Sequence, residues 1–109
     1  MSWTPVCGLA DLVPERGVAA LVDGDQVAVF RLADDRVMAV QQKDPFSGAN
    51  VLARGIVGSA GEEPTVTSPM YKQVWSLVTG ECLDAAGKAP QALRTYAVRV
   101  VGGTVEVSP

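Results

Sequence analysis

The chain has 109 residues, 48% hydrophobic and 19% charged, a composition that suits one domain (residues 1–109) with its own core and excludes both a second domain and a disordered chain. Its formal charge is −3 and its pI near 4.7, with nine Lys and Arg residues scattered along it; without a basic stripe the phosphate-neutralising term of nucleic-acid binding is missing. It has no histidine and two cysteines, which removes His-assisted nucleophiles, His general bases and His-ligated zinc, haem or iron.

The opening MSWTPVCGLADLVPERG has neither the basic start nor the long apolar block of a secretory signal. No later run approaches the ~18 apolar residues of a membrane helix. A cytoplasmic protein that binds neither membrane nor nucleic acid is expected. Met1 to Val6 reads as an extended lead-in anchored by Trp3, and Gly8 to Pro14 as one helical turn that the proline ends. Val18 to Val22, Gln26 to Leu32 and Arg36 to Gln41 then read as strands, separated by the turn residues Asp23-Gly24-Asp25 and Ala33-Asp34-Asp35. The second puts Ala28, Phe30 and Leu32 on one face; the third does the same with Met38 and Val40. This is a three-stranded antiparallel meander.

Gln42 to Gly61 forms a long Gly-punctuated finger, with Val51-Leu52 and Ile56-Val57 as its apolar pins into the core. Glu62-Glu63-Pro64 is a polar link, and Thr65 to Ser68 a short strand. A second finger follows at Ser68-Pro69-Met70-Tyr71-Lys72, left by Gln73 to Val78 with Trp75 and Leu77 on one face. Leu83 to Ala92 reads as a surface loop. Arg94 to Val101 and Thr104 to Val107 alternate on either side of Gly102-Gly103, a hairpin with a two-residue connection. Strands recur without an amphipathic helix of useful length, so the fold class is all-β: a small sandwich or partly open barrel with two protruding loops.

Candidate site residues cluster on those loops. Asp44 and Ser68 each precede a proline, where both residue types are ordinary turn formers, and contact with a partner is the other reading. Arg54 sits in a Gly-flanked apolar stretch, where it either pairs with a carboxylate of this chain or reaches a larger subunit. Lys72 reads as a solvated charge. Cys7 and Cys82 could pair as a disulfide in principle, but in a reducing compartment they read as two small buried hydrophobes. No Ser, Lys or Asp stands beside a recognisable base, so no catalytic constellation is expected.

The runs WTPVCGLADLVPERGVAALVDGDQVAVFRL, RVMAVQQKDPFSGANVLARGIVG, SPMYKQVWSLVTGECLD and YAVRVVGGTVEV resemble the Rieske-like family, and most closely the small subunits of assimilatory NAD(P)H-dependent nitrite reductases. In that family the first loop carries Cys-x-His and the second Cys-x-x-His around a two-iron cluster. The resemblance places Asp44 and Ser68 at the Cys positions and Phe46 and Tyr71 at the His positions. A carboxylate, a phenyl ring, a hydroxyl and a phenol cannot replace two thiolates and two imidazoles. The resemblance therefore implies a Rieske-like fold with no cofactor of its own. It also implies a large catalytic subunit as partner, which carries flavin, an iron–sulfur cluster and sirohaem and reduces nitrite to ammonium.

The expected interface is Asp44, Pro45, Phe46, Arg54, Pro69, Met70, Tyr71 and Lys72. Phe46, Met70 and Tyr71 are expected to pack between the loops as an apolar plug, with the tyrosine hydroxyl held by Asp44 or Ser68. Two other functions compete: a module that binds a small molecule or protein in the cleft between the loops, and a ferredoxin-type electron carrier, which would need the missing ligands.

Overall fold

Asp23 and Gly24 adopt φ of 51° and 83°, the doubly left-handed backbone of a two-residue hairpin turn whose twist suits the strands it joins. In the computed structural model, which describes residues 2–109, that turn links β2 (Arg16–Val22) to β3 (Asp25–Arg31). β3 pairs onward with β4 (Val37–Gln41), so the meander forms as the sequence predicts. Gly102 and Gly103, at φ of 56° and 79°, likewise join β9 (Thr95–Val101) to β10 (Thr104–Ser108).

These five strands and β1 (Thr4–Gly8) make an antiparallel sheet in the order β1-β10-β9-β4-β3-β2. Its two edges approach one another at β1 and β2, so the sheet curls into a nearly closed barrel. A second sheet is built from β5 (Ile56–Ala60), β6 (Glu63–Thr67), β7 (Val74–Ser76) and β8 (Cys82–Asp84), in that order. Leu9–Asp11 and Leu52–Arg54 are single 3-10 turns. The first is the helical turn expected near the N-terminus; it ends at Leu12, two residues before the proline.

β3 explains how the sheets pack. Ala28 and Phe30 point to one side, into a cluster with Leu32, Val40, Leu52, Val66, Trp75, Leu77 and Leu93 that joins the two sheets. Val27 and Val29 point to the other, into the barrel interior with Leu12, Val22, Ala39, Tyr96, Val105 and Val107. A strand covered on both faces reads as a continuous apolar run rather than an alternation, and VAVF is such a run.

Three expectations about the second half are corrected. Ile56 is not a core pin: it is 73% exposed, because it opens β5, an edge strand whose outward face meets solvent. Glu62-Glu63-Pro64 is not a link between elements; Gly61 turns the chain at φ +64° and Glu63 already pairs with Ala60 across a β5–β6 hairpin. Leu83 and Asp84 belong to β8, which pairs with β7, and only the residues after them form the loop. The cysteines are free and half-buried. They pack on different clusters, Cys7 against the barrel interior and Cys82 against the inter-sheet core. Burial, with Asp11 nearby, pushes the Cys7 thiol above its ordinary range.

Candidate functional site

Both loops leave the same end of the molecule: loop 1 follows β4 and runs from Gln42 to Val51, and loop 2 joins β6 to β7 through Ser68–Gln73. Loop 1 is built around Asp44, which is fully buried. Its carboxylate Oδ1 accepts hydrogen bonds from the backbone N–H of Phe46 (2.8 Å) and Ser47 (3.3 Å). Its backbone N–H donates to Ala49 O, and its carbonyl accepts from Gly48 N–H, both at 2.8 Å. An aspartate before proline, holding the N–H groups two and three residues on, is the turn chemistry its sequence position implies.

Across the gap, Ser68 is also buried and its hydroxyl donates to Asp44 Oδ2 at 2.5 Å. The Ser68 oxygen then accepts from Met70 N–H at 3.2 Å, and Ser68 N–H donates to Gln73 O at 2.9 Å. Thus one side-chain hydrogen bond between residues 24 apart in sequence pins the two loops together. A buried carboxylate with three donors is satisfied, and stripping it would leave those donors unpaired in a dry site.

The apolar plug does not form. Phe46 is half-buried and packs downward on Trp75, ring centroids 5.8 Å apart. Met70 and Tyr71 instead project from loop 2, 45% and 53% exposed. The Asp44–Ser68 contact lies between the loops instead, and no hydrogen bond joins the Tyr71 hydroxyl to either residue among the described residues. Pro69 and Lys72 are exposed beside them, and Lys72 has a left-handed backbone, φ +63°. Pro45 is half-buried. Arg54 is exposed on the turn after loop 1 and forms no ion pair among the described residues. Of the eight interface candidates, then, Pro69, Met70, Tyr71 and Lys72 form one exposed tip, Asp44, Pro45 and Phe46 form its support, and Arg54 stands apart.

Two residues that matter to this architecture carry no local sequence signal. Gln42, 5% exposed, braces the base of loop 1: its Oε1 accepts from Ala53 N–H at 2.7 Å and its Nε2 donates to Asn50 O at 3.2 Å. Gln73, fully buried behind loop 2, meets no hydrogen-bond partner among the described residues with either side-chain polar atom. Trp75, the floor under Phe46, is itself fixed by its indole N–H to Gln91 O at 2.8 Å. Close packing holds the turn after loop 1 in place: a Cβ on Gly17 would lie 2.6 Å from Ala53 O, and one on Gly55 2.6 Å from Thr67 O.

The profile of the Rieske-like [2Fe-2S] domain family matches residues 2–108. The chain belongs to this family. Among its Rieske-like relatives, the small subunit of the NADH nitrite reductase of Escherichia coli K12 is 36% identical over 106 residues, covering 96% of this chain and 95% of that protein. The large subunit of the Klebsiella oxytoca nitrite reductase [NAD(P)H] is 40% identical over 105 residues, 96% of this chain; there the chain spans only 11% of the relative's length. A crystal structure assigned as an NADH-dependent nitrite reductase small subunit from Mycobacterium tuberculosis superposes with a TM-score of 0.90 at 46% identity, covering 97% of this chain and 93% of that one.

The family's cluster can be tested against the residues in place. A Rieske centre takes two thiolates and two imidazoles. Here loop 1 carries Asp44 and Phe46 and loop 2 Ser68 and Tyr71, neither loop has a cysteine, the chain has no histidine, and Cys7 and Cys82 lie in other parts of the fold. Asp44 and Ser68 are moreover bonded to each other rather than left open to an iron. No group of three or more His, Cys, Asp or Glu side chains converges among the described residues. These residues do not fit a [2Fe-2S] cluster. One surface hollow borders loop 1 at Lys43 and Asn50, together with Gln26, Gln41 and Arg94, and others lie along β2, β4, β5 and β9.

Proposed function

We propose that this Rieske-like chain is the small subunit of an NADH-dependent nitrite reductase, and that it acts by docking on the large catalytic subunit through the tip of loop 2. The observation that carries the docking mode is the pairing of an exposed tip, Pro69 to Lys72, with a buried pin, Asp44–Ser68. An exposed aromatic and a methionine on a pre-ordered loop offer contact area at small ordering cost.

The partner is supported by two relatives of different build. One is a separate small subunit matched over 95% of its length, the other a large subunit that contains a stretch matching 96% of this chain. A stretch that forms a separate small subunit in one relative and part of a large subunit in another supports a place beside the large subunit. The chain itself carries no cluster in this reading; electron transfer and nitrite reduction take place on groups held by the large subunit. Two unpaired thiols and the absence of any helix long and apolar enough to cross a membrane among the described residues support a cytoplasmic setting.

The test is co-expression with the large subunit from the same cell, with co-elution and nitrite-dependent NADH oxidation measured. Tyr71→Ser with Met70→Ser is expected to weaken association about tenfold or more while the thermal midpoint stays within a few degrees. Association unchanged by these substitutions places docking elsewhere on the chain. No association at all ends the small-subunit reading.

A further inference from the structure

The two sheets expose four edges: β1, β2, β5 and β8. An open edge invites pairing with another chain, and proteins blunt theirs with proline, charge, bulges, shortness or a cover. β1 carries Pro5 and a register break between Pro5 and Cys7. β8 is three residues long, ends in Asp84 and pairs irregularly. β2 is covered by the 3-10 turn Leu52–Arg54 at Gly17 and by β1.

β5 has none of these devices. Its five residues, IVGSA, hold an unbroken register with β6, contain no charge and no proline, and are exposed at Ile56, Gly58, Ser59 and Ala60. The barrel does not close over it: a hollow of about 600 Å³, lined by Arg16, Gly17, Ile56 and Val57 among others, lies between β5 and β2.

The flanks say what fits there. Around Gly58 the sequence reads RGIVGSAGE. When two copies pair antiparallel with Gly58 opposite Gly58, Ile56 meets Ala60, and the turn before β5 in one copy, which carries Arg54, lies at the same end as the turn after β5 in the other, which carries Glu62. Each copy thus supplies a cation where the other supplies an anion, twice per pair. Arg54 and Glu62 are exposed and neither forms an ion pair within the chain among the described residues. We infer that β5 is a self-association edge, by which two copies of this chain join their four-stranded sheets into one eight-stranded sheet across a two-fold axis at Gly58. The edge runs back from the loop end of the sheet, where Ile56 pairs with Thr67, so such pairing leaves the loop 2 tip uncovered.

Sedimentation equilibrium of the whole chain from about 10 μM to about 1 mM tests this, since a short ladder gives a modest affinity. The expected result is a monomer–dimer equilibrium, with β5 amide exchange slowing as concentration rises. Gly58→Lys sets two like charges face to face on the axis and should leave only monomer. The monomer tolerates this change, because a Cβ there meets nothing nearer than Thr65 Oγ1 at 3.4 Å. Arg54→Glu and Glu62→Arg should each raise the dissociation constant about tenfold, and the double reversal should restore it to within about threefold. A wild-type chain that is monomeric throughout overturns the inference. So does a dimer indifferent to Gly58→Lys or to the single charge reversals, or β5 amides that gain protection only when the large subunit is added.

Discussion

The two loops begin alike, with a small polar residue before proline, and yet one is a support and the other a display. Loop 1 turns its groups inward. Asp44 is buried with three donors, Phe46 rests on Trp75, and Gln42 ties both ends of the loop with its side-chain amide. Loop 2 turns its two ends, Ser68 and Gln73, inward and presents Pro69, Met70, Tyr71 and Lys72 to solvent. Even the buried glutamines differ: among the described residues Gln42 is satisfied and Gln73 is not. The two loops thus differ in what they do with their side chains: loop 1 commits its polar groups to structure, and loop 2 leaves four side chains facing solvent.

That division makes the sharpest test a change at Asp44. Asp44→Ala removes an acceptor from three donors, two of them backbone, in a buried site. A loss of about 3 kcal/mol is expected, which lowers the melting temperature by roughly 10–20 °C. Ser68→Ala removes one bond from the same carboxylate and should cost only about 1–2 kcal/mol. Equal losses at the two positions would mean that the loops carry equal structural weight, and the comparison would fail.

The glutamines give effects of opposite sign. Gln42→Met leaves Ala53 N–H and Asn50 C=O unpaired, at a cost of about 2 kcal/mol. Gln73→Met replaces a buried amide that has no partner among the described residues with an apolar side chain of similar size, and should raise stability by about 1 kcal/mol in chemical denaturation. Destabilisation by both would show that the Gln73 amide is satisfied after all. Phe46→Ala should cost about 2 kcal/mol, since the ring is half-buried on Trp75 rather than fully enclosed.

The sequence reading succeeded where a pattern is local. Asp23-Gly24 and Gly102-Gly103 turns and the period-two alternation around them defined both hairpins, and the positions of Phe30, Trp75 and Leu77 in the core followed from side-chain parity. It went wrong where a side chain's fate depends on which strand lies beside it. Ile56 in GIVG looks like a core residue, and only β5's place at a sheet edge exposes it. The plug failed for a related reason. Phe46, Met70 and Tyr71 share an apolar character, but Asp44 and Ser68 meet between the loops in a contact across 24 residues that no spacing rule announces. Gln42 and Gln73 drew no reading from the sequence, since a glutamine gives no sign of being enclosed.

The smallest expected effect concerns the backbone of loop 2. Lys72 sits at φ +63°, a region that costs an L-residue roughly 1–2 kcal/mol and that glycine enters freely. Lys72→Gly relieves that strain but also frees the unfolded chain, which takes back roughly 0.4–1 kcal/mol. The net change in stability should be close to zero or a gain of about 0.5 kcal/mol. Were the lysine only a solvated charge in an idle turn, that would be the whole effect. If the loop 2 tip docks as proposed, a strained, exposed residue at its end has a second use, which is to hold Met70 and Tyr71 in one orientation. With glycine there, the tip gains freedom that docking must remove. Large-subunit affinity should therefore fall several-fold while the melting temperature holds or rises, and Lys72→Asn, which keeps a side chain that tolerates the left-handed region, should recover most of it. Loss of affinity in both variants would assign the effect to the lysine charge; loss in neither would leave the contact to Met70 and Tyr71 alone.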